Sequence, residues 1–323
     1  MLYPFTFHPI FKERVWGGRN LERLYQKALP PGAPIGESWE ITDRPESVSA
    51  IANGPLAGKD LRWLMKNHAQ ALLGSAKSQA GRFPLLVKIL DAQEKLSLQV
   101  HPPASVAAKL GGEPKTEMWY IADSTPDAGL FVGLKRGVTR TEFERRITDG
   151  TVADCFHRLP VRTGDAMFLP SGRVHAIGAG NVIFEVQQNS DTTYRVFDWN
   201  RSGLDGQRRE LHIAQSLASI DFNDFEPSLI KRQRIPISNG NLRPLVDDPL
   251  FRVDAFEARA GKTMTLRQPV LRIIGLLKGQ LTAADGRHSV ELSPGQFCLL
   301  PASLDSVELR TGTAVTFLQV EAR

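Results

Sequence analysis

Four side chains in this 323-residue chain have the types and spacing to hold a divalent cation. Gln99 and His101 stand two apart in LSLQVH, residues 96–101. Glu117 lies in PKTEMWYI, residues 114–121, and His175 follows the turn LPSG, residues 169–172. Two imidazoles, a carboxylate and an amide oxygen suit a borderline ion such as Zn²⁺, one per chain, with positions left over for water or substrate oxygens. Structural zinc usually takes thiolates, and Cys155 and Cys298 have no ligand spacing. A second set is cationic: Lys88, Lys115 and Arg195, with Ser97 two residues before Gln99. Lysine, arginine and a hydroxyl beside a metal are what an anionic, above all phosphorylated, ligand requires. The plain alternative makes His175 a loop-end histidine and the lysines surface charges. Two patterns weigh against it. A solvated strand face would favour Lys, Glu or Thr over Gln99 and His101. Lys88 sits inside the apolar run PLLVKIL, where a lysine either snorkels out or is held for a purpose.

These residues need strands to position them. LSLQVH alternates strictly, so Ser97, Gln99 and His101 share one face, roughly 6–7 Å between successive members. By the same parity Lys115, Glu117 and Trp119 share a face. Residues 163–195 read as two strands joined at a turn: AMFL at 166–169, then a half-buried run at 181–187 that alternates from Val182 to Gln187. A Gly-Asp start, a Leu-Pro-Ser-Gly turn and then a histidine resemble a cupin, a small β-barrel with a metal in its mouth.

Elsewhere in the first part, residues 36–41 read as a strand whose acids, Glu37 and Glu40, face solvent. Residues 59–73 form an amphipathic helix on Leu61, Leu64, Met65, Ala69 and Leu72, with His68 structural. Residues 102–160 read as a helical insertion. It opens with the short helix of ASVAAKL and includes the strand of PKTEMWYI. A helix follows, started by the capping-box spacing of Thr141 and Glu144 and ended by Gly150, and then a short helix at about 151–158. Another helix lies near 210–219, and residues 235–240 read as a linker.

Residues 241–323 are short strands and turns. PGQFCLLPA, at 294–302, repeats the pattern of TGDAMFLPS, at 163–171, and Ser306 stands where His175 would fall. This points to an internal duplication whose second copy has lost its histidine. The expected fold is mainly β: two cupin-like jelly-roll β-barrel domains with a small helical insertion in the first. Residues 1–235 form the metal-binding domain, and residues 236–323 a degenerate domain that binds no metal and packs against it.

Composition narrows the function classes. A hydrophobic content of 41% against 23% charged residues is that of an ordinary soluble domain. No run approaches the ~18 apolar residues of a membrane span. The start, MLYPFTFHPIFKERVW, reads as a strand and turn rather than a leader. Two cysteines make no disulfide framework, so a reducing, cytoplasmic location is the default. The net charge of +5 and pI of about 9.3 come from scattered lysines and arginines. No basic stripe interleaved with aromatics is present, which excludes nucleic acid as a partner. A small sugar phosphate fits the charge as well, and the assembly expected is a monomer or weak homo-oligomer.

In order from residue 15 to residue 201 stand VWGG, GESWE, FPLLVKIL, LSLQVHP, PKTEMWYI, LPSGRVHAIG and EVQQNSDTTYRVFDWNR. This series resembles the type I phosphomannose isomerases in their short bacterial form. LSLQVHP with PKTEMWY and SDTTYR is a specific combination, while no single piece is. The resemblance implies zinc ligands at Gln99, His101, Glu117 and His175. It implies phosphate contacts at Ser97, Lys88, Lys115 and Arg195, and a catalytic role for Arg195. The chain lacks the larger helical domain of the long eukaryotic form, and its last third follows the family only loosely. The implied reaction interconverts mannose 6-phosphate and fructose 6-phosphate. A base takes the proton from C2 and returns it at C1 through a cis-enediol. Glu185, Asp191 and a metal-bound hydroxide all remain open as the base. The rivals are an isomerase of another sugar or sugar phosphate, a cupin oxygenase with a redox iron, and a sugar-phosphate sensor without chemistry.

Overall fold

The computed structural model describes residues 1–267 and 269–323. Strands dominate it, and they form four large sheets. One six-stranded sheet runs in the order Ile10–Gly18, Ile35–Ile41, Leu85–Ala92, Asn181–Gln188, Glu117–Ser124, Ala166–Leu169. A five-stranded sheet faces it, in the order Tyr194–Phe197, Leu98–Val100, His175–Ile177, Gly129–Leu134, Phe156–Pro160. Leu90, Trp119, Ile121 and Ile183 of the first meet Leu130, Val132 and Ile177 of the second in one apolar cluster. The strands between these faces are antiparallel and buried on both sides. Leu85–Ala92 and Asn181–Gln188 therefore read as near-continuous apolar runs rather than clean alternations.

The second half repeats the plan. Its six-stranded sheet runs Ile235–Ile237, Gly240–Asp247, Phe251–Ala258, Val315–Ala322, Arg272–Lys278, Phe297–Leu300. Its four-stranded sheet runs Thr263–Arg267, Ser306–Thr311, Leu281–Ala284, Ser289–Leu292. In both halves the repeated motif supplies the last strand of the six-stranded sheet: Ala166–Leu169 in one, Phe297–Leu300 in the other. This is a jelly-roll order built twice. The sheets of each half stay separate, so each half is an open sandwich rather than a closed barrel among the described residues.

The two six-stranded sheets lie back to back. Val87, Met118 and Phe184 share a core with Phe251, Ile273 and Leu318, and the rings of Phe184 and Phe297 sit 5.2 Å apart. Phe5, ahead of the first strand, pairs with Leu299 at the edge of the second half's sheet. The helix Leu61–Leu73 buries Leu61, Leu64, Met65, Leu72 and Leu73 in the same core and is capped by the Asp60 carboxylate. No helix among the described residues is long and apolar enough to cross a membrane.

Four readings of the sequence need correction. Residues 102–160 are not a helical block. Their helices are short, Ala104–Ala107 and Arg140–Thr148, while Glu117–Ser124 and Gly129–Leu134 are integral strands of the two facing sheets. The cap of Arg140–Thr148 is Thr139, whose hydroxyl accepts from the Glu142 N–H, two residues before the expected position. Residues 152–155 form one 3₁₀ turn, after which Phe156–Pro160 is already strand. Glu37 and Glu40 are both buried, and three residues apart on a strand they point to opposite faces.

Candidate metal centre

Register brings the candidate residues into one layer. In the five-stranded sheet Arg195 and His175 each pair with Gln99, so the three stand abreast. In the facing sheet Glu185 pairs with both Lys88 and Trp119, and Trp39 pairs with Lys88. Glu117 pairs with Gln187 one step along. The two rows face each other across the sandwich.

At its base His101, Glu117 and His175 are fully buried, with one potential ligand atom from each within 4.8 Å of the others. His101 Nε2 is 3.4 Å from Glu117 Oε2, and His175 Nε2 is 3.4 Å from Glu117 Oε1. Each ring's far nitrogen is held by a backbone carbonyl. His101 Nδ1 donates to Thr192 O at 2.8 Å, and His175 Nδ1 to Arg173 O at 2.9 Å. Those bonds place the proton on Nδ1 and turn both Nε2 lone pairs inward, which is how proteins prepare histidine ligands. Neither Glu117 oxygen accepts a hydrogen bond, although the Lys115 ammonium is 2.9 Å away. A buried carboxylate left so, between two inward lone pairs, fits a divalent cation.

Gln99 lies beside the group. Its amide lies 3.3 Å from His175 Nε2 and accepts from the Ser97 hydroxyl at 3.2 Å. Turning the amide over directs Oε1 at the cluster, and Ser97 then accepts instead of donating.

Electrostatics keep the three groups in forms that can bind a metal. Burial, reinforced by Lys115, lowers the pKa of His101, and burial brings His175 down to about 3, so both rings stay neutral. Burial opposes ionisation of Glu117, but Lys115 and His101 overcome it and hold the carboxyl well below its usual range.

Above the cluster opens a cavity of about 660 Å³. Lys88, Ser97, Gln99, Lys115 and Arg195 all line it, together with Glu185. Lys88 is buried under the Trp39 ring, 3.5 Å from Glu37 and 3.6 Å from Glu185. Burial disfavours the charged form of Glu37, yet Lys88 and Arg14 outweigh it and bring its pKa down to about 2. Glu185 behaves the opposite way: burial, then the neighbouring Glu117, raises its pKa. Trp119 donates to Glu185 Oε2 at 2.8 Å, while Oε1 accepts no hydrogen bond. Asp191 sits at the mouth, half exposed and 3.9 Å from Lys88. Arg195 donates to Glu210 O at 3.0 Å and forms no ion pair among the described residues.

The structure thus brings together all eight residues singled out from the sequence. It adds Arg14, which the sequence reading passed over, and Glu37 and Trp119, which it read only as a solvated acid and as a neighbour of Glu117 on its strand face. A usable signal existed for one: Glu37 shares strand parity with Trp39, so a solvated face there would also have exposed a tryptophan.

Comparisons with known proteins agree on one family. A model of the type I phosphomannose isomerase catalytic domain matches residues 5–124. The mannose-6-phosphate isomerase ManA of Bacillus subtilis is 34% identical over 95% of both chains. A mannose-6-phosphate isomerase of Streptococcus mutans is 33% identical over 95% of both. The crystal structure of a Bacillus subtilis mannose 6-phosphate isomerase superposes over 100% of both chains with a TM-score of 0.89, at 29% identity.

Proposed function

The chain belongs to the type I phosphomannose isomerases, and from that premise we propose that it interconverts mannose 6-phosphate and fructose 6-phosphate in the cavity above His101, Glu117 and His175. The observation that carries the metal requirement is the buried Glu117 carboxylate, without hydrogen bonds, between two inward-facing imidazole nitrogens. Gln99, His101, Glu117 and His175 would hold one divalent ion, Zn²⁺ by donor type. A bound ion there supplies Lewis acidity to substrate oxygens.

The chain's own residues do the rest. We assign the base to Glu185. Its raised pKa and its Oε1, which accepts no hydrogen bond, suit a carboxylate that takes a proton from C2 and returns it at C1 through a cis-enediol. Trp119 fixes the other oxygen and so aims the group. Asp191, at the mouth and half exposed, is less well placed. Negative charge develops on the C1 and C2 oxygens, and Arg195, abreast of Gln99 and without an ion pair, is the cation assigned to meet it. Ser97, Lys88 and Lys115, with Arg195, are the proposed phosphate contacts. Binding energy from the phosphate orients the reacting carbons. The two cysteines are free and buried, which suits a reducing compartment, and the cytoplasm is the location proposed.

The deciding experiment follows conversion of mannose 6-phosphate before chelation, after it, and after Zn²⁺ is returned. Activity that chelation removes and zinc restores is the expected result. Undiminished turnover in chelated, metal-free protein would overturn the metal role, and no turnover with metal bound would overturn the substrate.

A further inference from the structure

A second, smaller cavity of about 190 Å³ lies on the seam between the two halves. It has room for roughly six water molecules. Three guanidinium groups line it, from Arg232, Arg234 and Arg243, with the Tyr120 side chain. Two of the three are neutralised locally. Arg232 pairs with Asp165 at 2.7 Å, and Arg234 with Glu257 at 2.6 Å.

Arg243 differs. It is buried, at 7% exposure, and forms no ion pair among the described residues. Its nitrogens donate to the carbonyls of Lys231, Gly164 and Ile230. Carbonyl dipoles solvate a guanidinium, but they do not cancel its charge, and a buried charge without a counter-ion is costly. Tyr120 stands on the wall of the same cavity. The residue is 8% exposed, and its hydroxyl, which makes no hydrogen bond to the described residues, is free to donate into the cavity that Tyr120 lines. Residue 164, on the cavity wall, is glycine at φ +87°. A Cβ there would stand 3.7 Å from Arg232 Nη1 and 3.8 Å from Tyr120 Oη.

We propose that this seam cavity binds a small phosphate-type oxyanion. Arg243 and the Tyr120 hydroxyl make the inner contacts, and Arg232 and Arg234 form the rim. The anion supplies a counter-charge for Arg243 and takes the hydrogen bond that the Tyr120 hydroxyl is free to donate. It also links the strand Glu117–Ser124 of the first half to Gly240–Asp247 of the second, so occupancy stabilises the seam. The cavity is too small for a nucleotide. The shared chemistry is the phosphoryl group, free or carrying one small substituent.

The test titrates inorganic phosphate into the full chain at constant ionic strength, following heat and melting temperature, with a parallel arm using methyl phosphate. Wild type and Arg195→Ala, which is altered only in the larger cavity, show a phosphate-dependent rise in melting temperature. Tyr120→Phe, which removes one hydroxyl, raises the seam dissociation constant about tenfold, the usual scale for a hydrogen bond to a charged group. Arg234→Gln, at the exposed rim, weakens binding in the same direction should Tyr120→Phe perturb folding. A methyl phosphate response equal to that of phosphate assigns the site to phosphomonoesters, and a response to phosphate alone assigns it to the free ion. Superimposable titrations for wild type and both seam variants, or an equal response to chloride, would overturn the proposal.

Discussion

The two halves share a chain path but invert its polarity. Leu169 pairs with Glu117, and the matching Leu300 pairs with Arg272. Where the first half places a buried carboxylate, the second therefore places a guanidinium, bonded to Glu321 at 3.0 Å. Glu185 corresponds in the same way to Gln319, which pairs with Ile274 two residues beyond Arg272. His175 corresponds to Ser306, which is exposed. The interior differs to match. The first sandwich opens on a polar cavity beside its apolar cluster, while the second is filled by Ile274, Leu281, Leu292, Leu309 and Phe317. One half spends its interior on chemistry and the other on packing. The topology tolerates both because strand register depends on the alternation of faces, not on which polar residue occupies a given row.

The largest effect should come from moving the second half's residue into the first. His175→Ser removes one imidazole and should lower turnover at least about a thousandfold, with metal content falling in parallel. Elemental analysis of the purified variant alongside its kinetics is the check. Retained metal with lost turnover would shift His175 from ligand to catalyst.

Arg195→Ala comes next and separates chemistry from coordination. Arg195 is in the same row as Gln99 but is not one of the clustered ligands. The variant should lose about a hundredfold in kcat while metal content stays at the wild-type level. A rise in KM with kcat unchanged would instead make Arg195 a uniform binding contact.

In the second half the same kind of truncation should touch stability alone. Phe317 is 1% exposed and stacks on Phe256 at 5.1 Å. Phe317→Ala should cost about 3–5 kcal/mol of folding stability, read from denaturant unfolding. The kcat of the folded fraction should not change. A changed kcat would mean the back-to-back sheets transmit strain from the second core to the metal site.

This asymmetry also explains what could be read from the sequence. The short signatures LSLQVH and PKTEMWYI carry their geometry in period-2 spacing, so Gln99, His101 and Glu117 were visible at once, while Arg195 was singled out as a cation and by the resemblance of SDTTYR to the family. The internal duplication was visible through a nine-residue turn motif, and that motif does fall on equivalent edge strands. Apart from the strand of PKTEMWYI, the weave of residues 102–160 was not visible, because two short helices and several glycines locally outweigh strands that also take partners more than 40 residues away. For example, Val132 meets His175 and Glu117 meets Leu169. The burial of Glu37 was hidden for a related reason: it is compensated by charges on different strands, Arg14 and Lys88. Arg272 in the place of Glu117 emerges only from register.

The smallest effect expected is the reverse transplant, and it tests the comparison most directly. Ser306→His restores the lost imidazole type at the duplicated position, where the strand Ser306–Thr311 begins opposite Arg267. If the missing histidine were the only obstacle, a second metal would bind. The register argues otherwise. The position that would supply the carboxylate carries Arg272, and the strand that would supply Gln99 and His101 is TMTLR, with no imidazole. A lone exposed histidine beside cationic neighbours binds a divalent ion poorly, since metal sites need several converging donors. Metal content per chain, measured after equilibration with excess Zn²⁺ and gel filtration, should equal that of wild type. Stability should move by no more than about 0.5 kcal/mol, as for other exposed substitutions. One additional tightly held ion per chain would show that the second half keeps a latent site despite Arg272, and the polarity inversion would no longer account for the difference between the halves.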